Sequence, residues 1–456
     1  MSADPANPQW SSSLSFYLAT VGASVGLGSI WRFPYLAGSS GGSAFILVFV
    51  IACLLIATPL LAAEFLIGRS AQRSPPQAAG RVARAAGLSP AWNIIGVFGT
   101  LCAYLVISYY TVIAGWVMAY TWKCASGGLN GLTHPQVAAL WREFLSDPVR
   151  MGAWHAAFVS LVAWISARGV HRGLEIANKV RAPVMLSLLL LLAAYALWHG
   201  DARRGLAFAF SPNVAALNAA VILSAIGQAF YATGVGMAMM LAYGSYLRRG
   251  TSLVRSSVII SASILLVSML ATVTVFPLVF RYGMDPAQGV DLVFGVLASV
   301  FAEMPGGQLF GSLFFLLLIF AALTPSLAGS EPVTAWLQQN RGWTRARAAA
   351  ATGILMWASG LASVLSFNRW AAFYPLDALP GFHGKTVFAA LDYVASNVLC
   401  PVGALLTSLF VGWRLPASIR ADQFSETSAF AYRAVVLLLR FVCPVAIGAV
   451  FVANLY

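Results

Sequence analysis

Charge is what this chain has least of: Asp, Glu, Lys and Arg together supply 9% of 456 residues, against 60% hydrophobic residues and a mean hydropathy of +0.80. That leaves too little polar surface to cover a water-soluble globule of this length. Cysteine is scarce as well. Of five, Cys53, Cys102, Cys400 and Cys443 fall inside apolar runs and only Cys124 sits at an outer edge, which argues against a disulfide framework and makes the first four small buried apolar side chains. There is no His/Cys cluster, no HExxH and no glycine-rich phosphate loop, so a metal or nucleotide enzyme has no support, and no paired catalytic constellation converges elsewhere. Residues 1–12 lack the charged start and cleavage site of a signal peptide, so the first apolar run is expected to stay in the mature protein.

What the chain does have is repeated apolar runs of about 20 residues, the length that crosses a hydrocarbon core of about 30 Å. Eleven spans are expected, near residues 13–37, 43–68, 92–122, 152–167, 175–198, 217–246, 256–281, 306–338, 347–366, 386–412 and 430–455, forming one transmembrane domain over 1–456. The longest gap, 123–151, carries Pro135, Pro148 and mixed charge and reads as a loop with one short helix. Basic residues cluster after alternate spans: Arg69, Arg73, Arg81 and Arg84; Arg168, Arg172, Lys179 and Arg181; Arg248, Arg249 and Arg255; Arg341, Arg345 and Arg347; Arg414, Arg420 and Arg433. The positive-inside rule places these loops in the cytoplasm, with the N-terminus inside and Tyr456 outside. Cations spread over short juxtamembrane loops also account for the net charge of +13 without a nucleic-acid partner.

Two spans carry interruptions. Span one contains Gly22-Ala23-Ser24-Val25-Gly26-Leu27-Gly28-Ser29, too rich in glycine to remain regular at the bilayer midplane, and span six contains Gly234-Val235-Gly236. Spans one and six are the first members of two five-span halves. Matched interruptions point to an all-α polytopic membrane protein with a five-plus-five inverted-repeat transporter fold, broken helices 1 and 6, an eleventh helix, and a binding site where the breaks meet. Glycines that only let helices pack closely are the plainer alternative.

The residues around the breaks form an ordered set: Trp10, GASVGLGSIWRFPY from Gly22 to Tyr35, Gly41-Gly42, Glu64, Gly68-Arg69, Tyr109-Tyr110, Gly227-Gln228-Ala229-Phe230, Tyr243-Gly244-Ser245-Tyr246, Ala322-Leu323-Thr324, Glu331-Pro332 and Leu391-Asp392-Tyr393. This set resembles the neurotransmitter:sodium symporter family, in its prokaryotic, eleven-helix branch. The resemblance implies sodium-driven uptake of small amino acids or amines by alternating access. It also implies a substrate pocket lined by Leu27, Gly28, Val106, Tyr110, Tyr231, Gly234, Met237, Pro325 and Gly329, and an outer gate made by Arg32 and Asp392. The amides after the first break sit at a half-helix N-terminus, which suits a carboxylate. Gly26 stands where amine carriers of the family present an Asp, so an amino acid is favoured; Gly234, Gly329 and the adaptable Met237 suggest room for an apolar or aromatic side chain. Glu64 and Glu331 are expected to brace unwound backbone by accepting amide hydrogen bonds.

The family pattern fails at the ions. At the first sodium site Ser29, Ala232 and Ile264 replace the expected oxygen ligands, with Ser263 or Ser29 as partial compensation. The second site keeps Gly22, Val25 and Ala321, which contribute carbonyls, and the Thr324 hydroxyl, but has Pro325 where another hydroxyl belongs. At most one sodium ion is therefore expected as a coupling ion, and no other cofactor. The inner gate has Asn7 and Gln339 in place of a basic and an acidic residue, which favours inward-open states if nothing replaces the pair. Three readings stay open: sodium-coupled amino-acid symport, sodium-independent or proton-linked amino-acid transport on the same fold, and a non-transporting sensor or scaffold. The expected partners are a small amino-acid substrate and the lipid bilayer; nothing in the sequence fixes the oligomeric state.

Overall fold

The computed structural model describes residues 9–286, 292–379 and 381–455. It is 81% helix, with no strand among the described residues. Eight helices are long and apolar enough to cross a membrane, and a ninth span is formed by the pair Ser13–Ser24 and Gly28–Ser39, bent by 50° at the break. The expected fourth span is the 20-residue helix Pro148–Ala167, and the sixth is the pair Ala219–Thr233 and Met239–Ser245.

Local chemistry sets the helix ends. The Asp147 carboxylate accepts from the Val149 and Arg150 N–H groups at the start of Pro148–Ala167, and Ser12, Ser252 and Thr344 cap their helices in the same way. The long helix Gly307–Arg341 stops at Gly342, whose φ of 63° is left-handed. It packs along Ile94–Ala125, while Pro148–Ala167 packs on Arg345–Leu365 and Leu253–Arg281 on Ile176–His199. The half-helix Ser13–Ser24 lies against both Ile176–His199 and Gly307–Arg341, which places the first break at the meeting point of three helices.

Four features differ from the sequence reading. The first span stays helical through Ser24, so the irregular backbone narrows to residues 25–27, because serine and alanine tolerate helix and only Gly26 lies where the chain turns. Short helices that polar sequence concealed fill the connections: Pro75–Ala85, Ala202–Phe210 and Leu292–Glu303, besides the expected His134–Ser146 between spans three and four. All five cysteines are buried and free, Cys124 included. Finally, four arginines assigned to cytoplasmic loops are interior, Arg420 among them, donating to the Val411 and Gly412 carbonyls (both 2.9 Å). Arg69 is buried, donating to the Gln423 Oε1 (2.9 Å), the Gln423 carbonyl and the Thr251 carbonyl (2.7 Å). Arg181 is only 2% exposed within Ile176–His199, and Arg345 reaches from its helix start to a buried carboxylate. Loop-charge counting saw cations near span ends but not the inward direction of these side chains.

Candidate functional site

The two breaks face each other and are stitched together. At the first, Val25 ends the helix and the Gly26 N–H turns to the Ser24 carbonyl (3.1 Å) rather than to that of Gly22, four residues back. At the second, Gly234 and Gly236 take φ values of 69° and 81°, and Ala238, at 55°, starts the inner half-helix. The Gln228 Nε2 donates to the Gly28 carbonyl (2.7 Å), and the Ser24 hydroxyl donates to the Thr233 carbonyl (3.4 Å). Glu64 accepts from the Gly236 N–H at 2.7 Å, satisfying an amide the break exposes. That is the bracing role expected of it.

Between the breaks lies a cavity of about 30 Å³, lined by Ala23, Ser24, Gly26, Gly28, Ala103, Val106, Ile107, Tyr110, Tyr231, Ala232, Met237, Met239 and Pro325. Of the nine residues expected at a substrate pocket, Gly28, Val106, Tyr110, Tyr231, Met237 and Pro325 meet there. Leu27 contributes only its backbone, whose N–H donates to the Tyr110 hydroxyl at 3.1 Å. Gly234 and Gly329 stand behind other side chains. A Cβ at Gly234 would come 2.6 Å from Met239 Cε, and one at Gly329 would collide with Ile107 Cγ2. The expected room for a large side chain is thus taken up by Met239 and Ile107, which the sequence reading missed. Both belong to unbroken apolar runs, and no local signal separates them from core. Gly26 admits no side chain, because a Cβ there would lie 2.5 Å from Pro325 Cγ and 2.8 Å from the Tyr110 hydroxyl oxygen.

The second cation site takes a form the sequence did not suggest. Gly22 and Thr324 come together, but Arg181 comes with them. A Cβ at Gly22 would strike Arg181 Nη2, lie 2.6 Å from Asn178 Oδ1 and meet the methyl rather than the hydroxyl of Thr324 at 3.1 Å. Arg181 Nη1 donates to the Phe320 carbonyl (2.7 Å), one residue before Ala321. At the first cation site, Ser29 is fully buried with its hydroxyl unpartnered among the described residues, Ile264 is fully buried, and Ala232 lines the cavity. Ser263 offers no compensation, since its hydroxyl donates to the Ile259 carbonyl of its own helix (2.8 Å).

The outer pair is brought close without an ion pair between its members. The Arg32 guanidinium lies 4.2 Å over the Tyr231 ring, on the border of a second cavity of about 380 Å³, and Asp392 accepts from the Tyr109 hydroxyl (2.8 Å) and the Ser396 hydroxyl (3.1 Å). On the opposite side Glu331 does not brace backbone, contrary to expectation. It forms a two-pronged ion pair with Arg345 (2.7 and 2.6 Å) and accepts from the Tyr246 hydroxyl (2.6 Å). Trp10 closes over this side, its ring N–H on the Tyr243 carbonyl and its backbone N–H on the Tyr246 carbonyl, both at 3.0 Å, while Ser11 donates to Glu175. The lost inner gate therefore has substitutes. Gln339 instead accepts from the Ser74 N–H (2.8 Å), and Asn7 lies outside the described residues.

Comparison with known proteins follows this geometry. The model of the sodium:neurotransmitter symporter family matches residues 7–134 and 147–456. An uncharacterized sodium-dependent transporter of Bacillus subtilis, YhdH, is 36% identical over 97% of this chain and 96% of its own length. A sodium-dependent transporter of Methanocaldococcus jannaschii is 30% identical over 89% of this chain and 81% of its own. The crystal structure of MhsT in complex with L-phenylalanine superposes with a TM-score of 0.89 at 35% identity, covering 98% of this chain and 99% of the other. The fold is therefore the five-plus-five transporter fold. These relatives are transporters, not enzymes, and they support sodium as the coupling ion. Sodium, however, is held by oxygens. With a guanidinium packed against Gly22 and bonded to the Phe320 carbonyl, the second site as it stands does not fit a sodium ion.

Proposed function

Because the chain belongs to the sodium:neurotransmitter symporter family, we propose that it carries a small apolar or aromatic amino acid across the bacterial inner membrane by alternating access, with its N-terminus in the cytoplasm and its C-terminus outside. The observation that carries this reading is the polar pair made by the Leu27 N–H and the Tyr110 hydroxyl at the edge of an otherwise apolar cavity. An amide and a phenol placed at a half-helix N-terminus can turn from each other to a carboxylate, the group every amino acid shares. The wall supplies no carboxylate for a lone ammonium, and Gly26 has no space to acquire one. The remaining lining residues bind by apolar contact, and the bound L-phenylalanine of MhsT is consistent with that chemistry.

Capacity depends on movable atoms. Met239 fills the hollow above Gly234 with a flexible side-chain end, whereas Ile107 crowds Gly329 with a stiff β-branched methyl, so a ligand side chain enters by displacing Met239 rather than by occupying a preformed void. Binding of labelled amino acids to the purified protein, competed by a panel that includes amines without a carboxylate, tests the reading. Apolar and aromatic amino acids should compete, and amines should not. Met239→Ala should shift the preference toward bulkier side chains by about 1–3 kcal/mol, or 10–200-fold. Equal competition by decarboxylated analogues would sink the carboxylate assignment.

A further inference from the structure

We infer that the guanidinium of Arg181 is a tethered cation standing in the second cation site in place of sodium, so that sodium binds there only after this side chain has withdrawn.

The site is where the half-helix Ser13–Ser24 meets Gly307–Arg341, and Arg181 enters it from Ile176–His199. Three observations place the charge. Arg181 is 2% exposed, and Nη1 donates to the Phe320 carbonyl at 2.7 Å. Nη2 lies so close to Gly22 that only glycine fits beneath it. Nε and Nη2 have no hydrogen-bond partner among the described residues, and neither does the Oδ1 of Asn178, one helical turn earlier on the same face.

A buried guanidinium ordinarily recruits a carboxylate. Among the described residues none pairs with Arg181, although Glu331 and Glu64 are buried in the same protein and are committed to Arg345 and Gly236. What Arg181 meets instead is the Phe320 carbonyl and the end of a broken helix at Gly22, whose own carbonyl has lost its usual donor to the Gly26–Ser24 turn. Such carbonyls are the groups that stabilise a coupling ion in a broken-helix transporter. The Arg181 charge stands beside the carbonyls that would attract sodium, and two cations repel at contact distance. Pro325, which removes a hydroxyl, leaves the site poorer in oxygen for a bare ion, while the guanidinium keeps an acceptor in the Phe320 carbonyl.

A mechanical consequence follows. The guanidinium ties the helix of Arg181 to Phe320 at the level of the first break, so the three helices around the site stay joined whether or not sodium is present. This inference assigns no substrate and stands apart from the amino-acid reading.

Sodium binding to the purified protein, measured with radioactive sodium in the absence of any substrate, tests it. Arg181→Met should bind sodium about tenfold or more tightly than the wild type, because the competitor is gone. Arg181→Lys, which keeps the charge, should remain at the wild-type level. Arg181→Met binding sodium no more tightly than the wild type would make Arg181 a strut and overturn the inference. Should Arg181→Met fail to fold, hydrogen exchange on the unmodified protein decides. Residues 20–28 should be protected equally in sodium and in choline chloride, and protection that rises with sodium in the low millimolar range would overturn the proposal.

Discussion

The two sides of the broken helices are closed by different kinds of contact. At the inner side Glu331 and Arg345 form a direct two-pronged ion pair, backed by Tyr246 and covered by Trp10, with Glu331 fully buried and the Arg345 side chain 14% exposed. At the outer side Arg32 and Asp392 are both half-buried, and each is satisfied by neutral groups, a tyrosine ring for one and two hydroxyls for the other. Ion pairs with matched geometry are costly to separate once desolvated, whereas cation–π and hydroxyl contacts exchange for water at little cost. The comparison teaches that the Glu331 side is latched and the Arg32 side is merely shut. With the N-terminus in the cytoplasm, as proposed above, a carrier with that asymmetry opens outward first.

Breaking the inner latch should have the largest effect. Glu331→Gln leaves Arg345 as a buried charge without its counter-ion, a loss of about 3–5 kcal/mol that thermal unfolding will read as a marked drop in melting temperature. Pairing it with Arg345→Met should recover most of that loss. A double variant as unstable as the single would show that the pair is not the latch.

The outer pair should respond less in stability and more in transport. Asp392→Asn weakens two hydrogen bonds to an ionised acceptor, each worth about 1.5–3 kcal/mol at most, so folding survives while uptake into liposomes falls by about tenfold or more. Uptake at the wild-type rate would remove Asp392 from the gate. The smallest effect is expected at the cover. Trp10→Phe deletes the bond to the Tyr243 carbonyl, about 1 kcal/mol, and should raise labelling of cysteines introduced along the inner half of span one without changing the melting temperature by more than a few degrees. Unchanged labelling would mean that packing of the ring, not its N–H, holds the cover down.

Much of the frame could be read from the chain, for a physical reason. Apolar length and glycine-rich interruptions are local properties, so Gly22 to Ser29 and Gly234 to Gly236 announced where the helices break. Glu64 announced its role as well, because a carboxylate in an apolar run must find donors and a broken helix offers them. What stayed hidden depends on direction. Arg181 and Arg345 read as loop cations like Arg168 or Arg347, since sequence counts a charge without saying which way its side chain points. Glu331 was misread for the same reason: its partner lies 14 residues on, at the start of the next helix. Met239 and Ile107 were missed because displacement into the hollow over a glycine leaves no trace in hydropathy.

The fastening of the second break to span two has a kinematic consequence. Glu64 holds the Gly236 amide, and Gly68, one turn of helix further along, lets the backbone of Leu241 and Ser245 press directly against Thr58–Ala71. Two anchors a helical turn apart tie Met239–Ser245 to Thr58–Ala71, so that half of span six moves with Thr58–Ala71 as its passenger. The passenger has its own knuckle. Just before Thr58 the helix loosens into the π-turn Cys53–Ala57, where the Thr58 hydroxyl reaches back to the Cys53 carbonyl and to Ser261. On the other side of that turn Ser43–Ala52 packs on Ala219–Thr233, so each half of span two keeps company with a different half of span six.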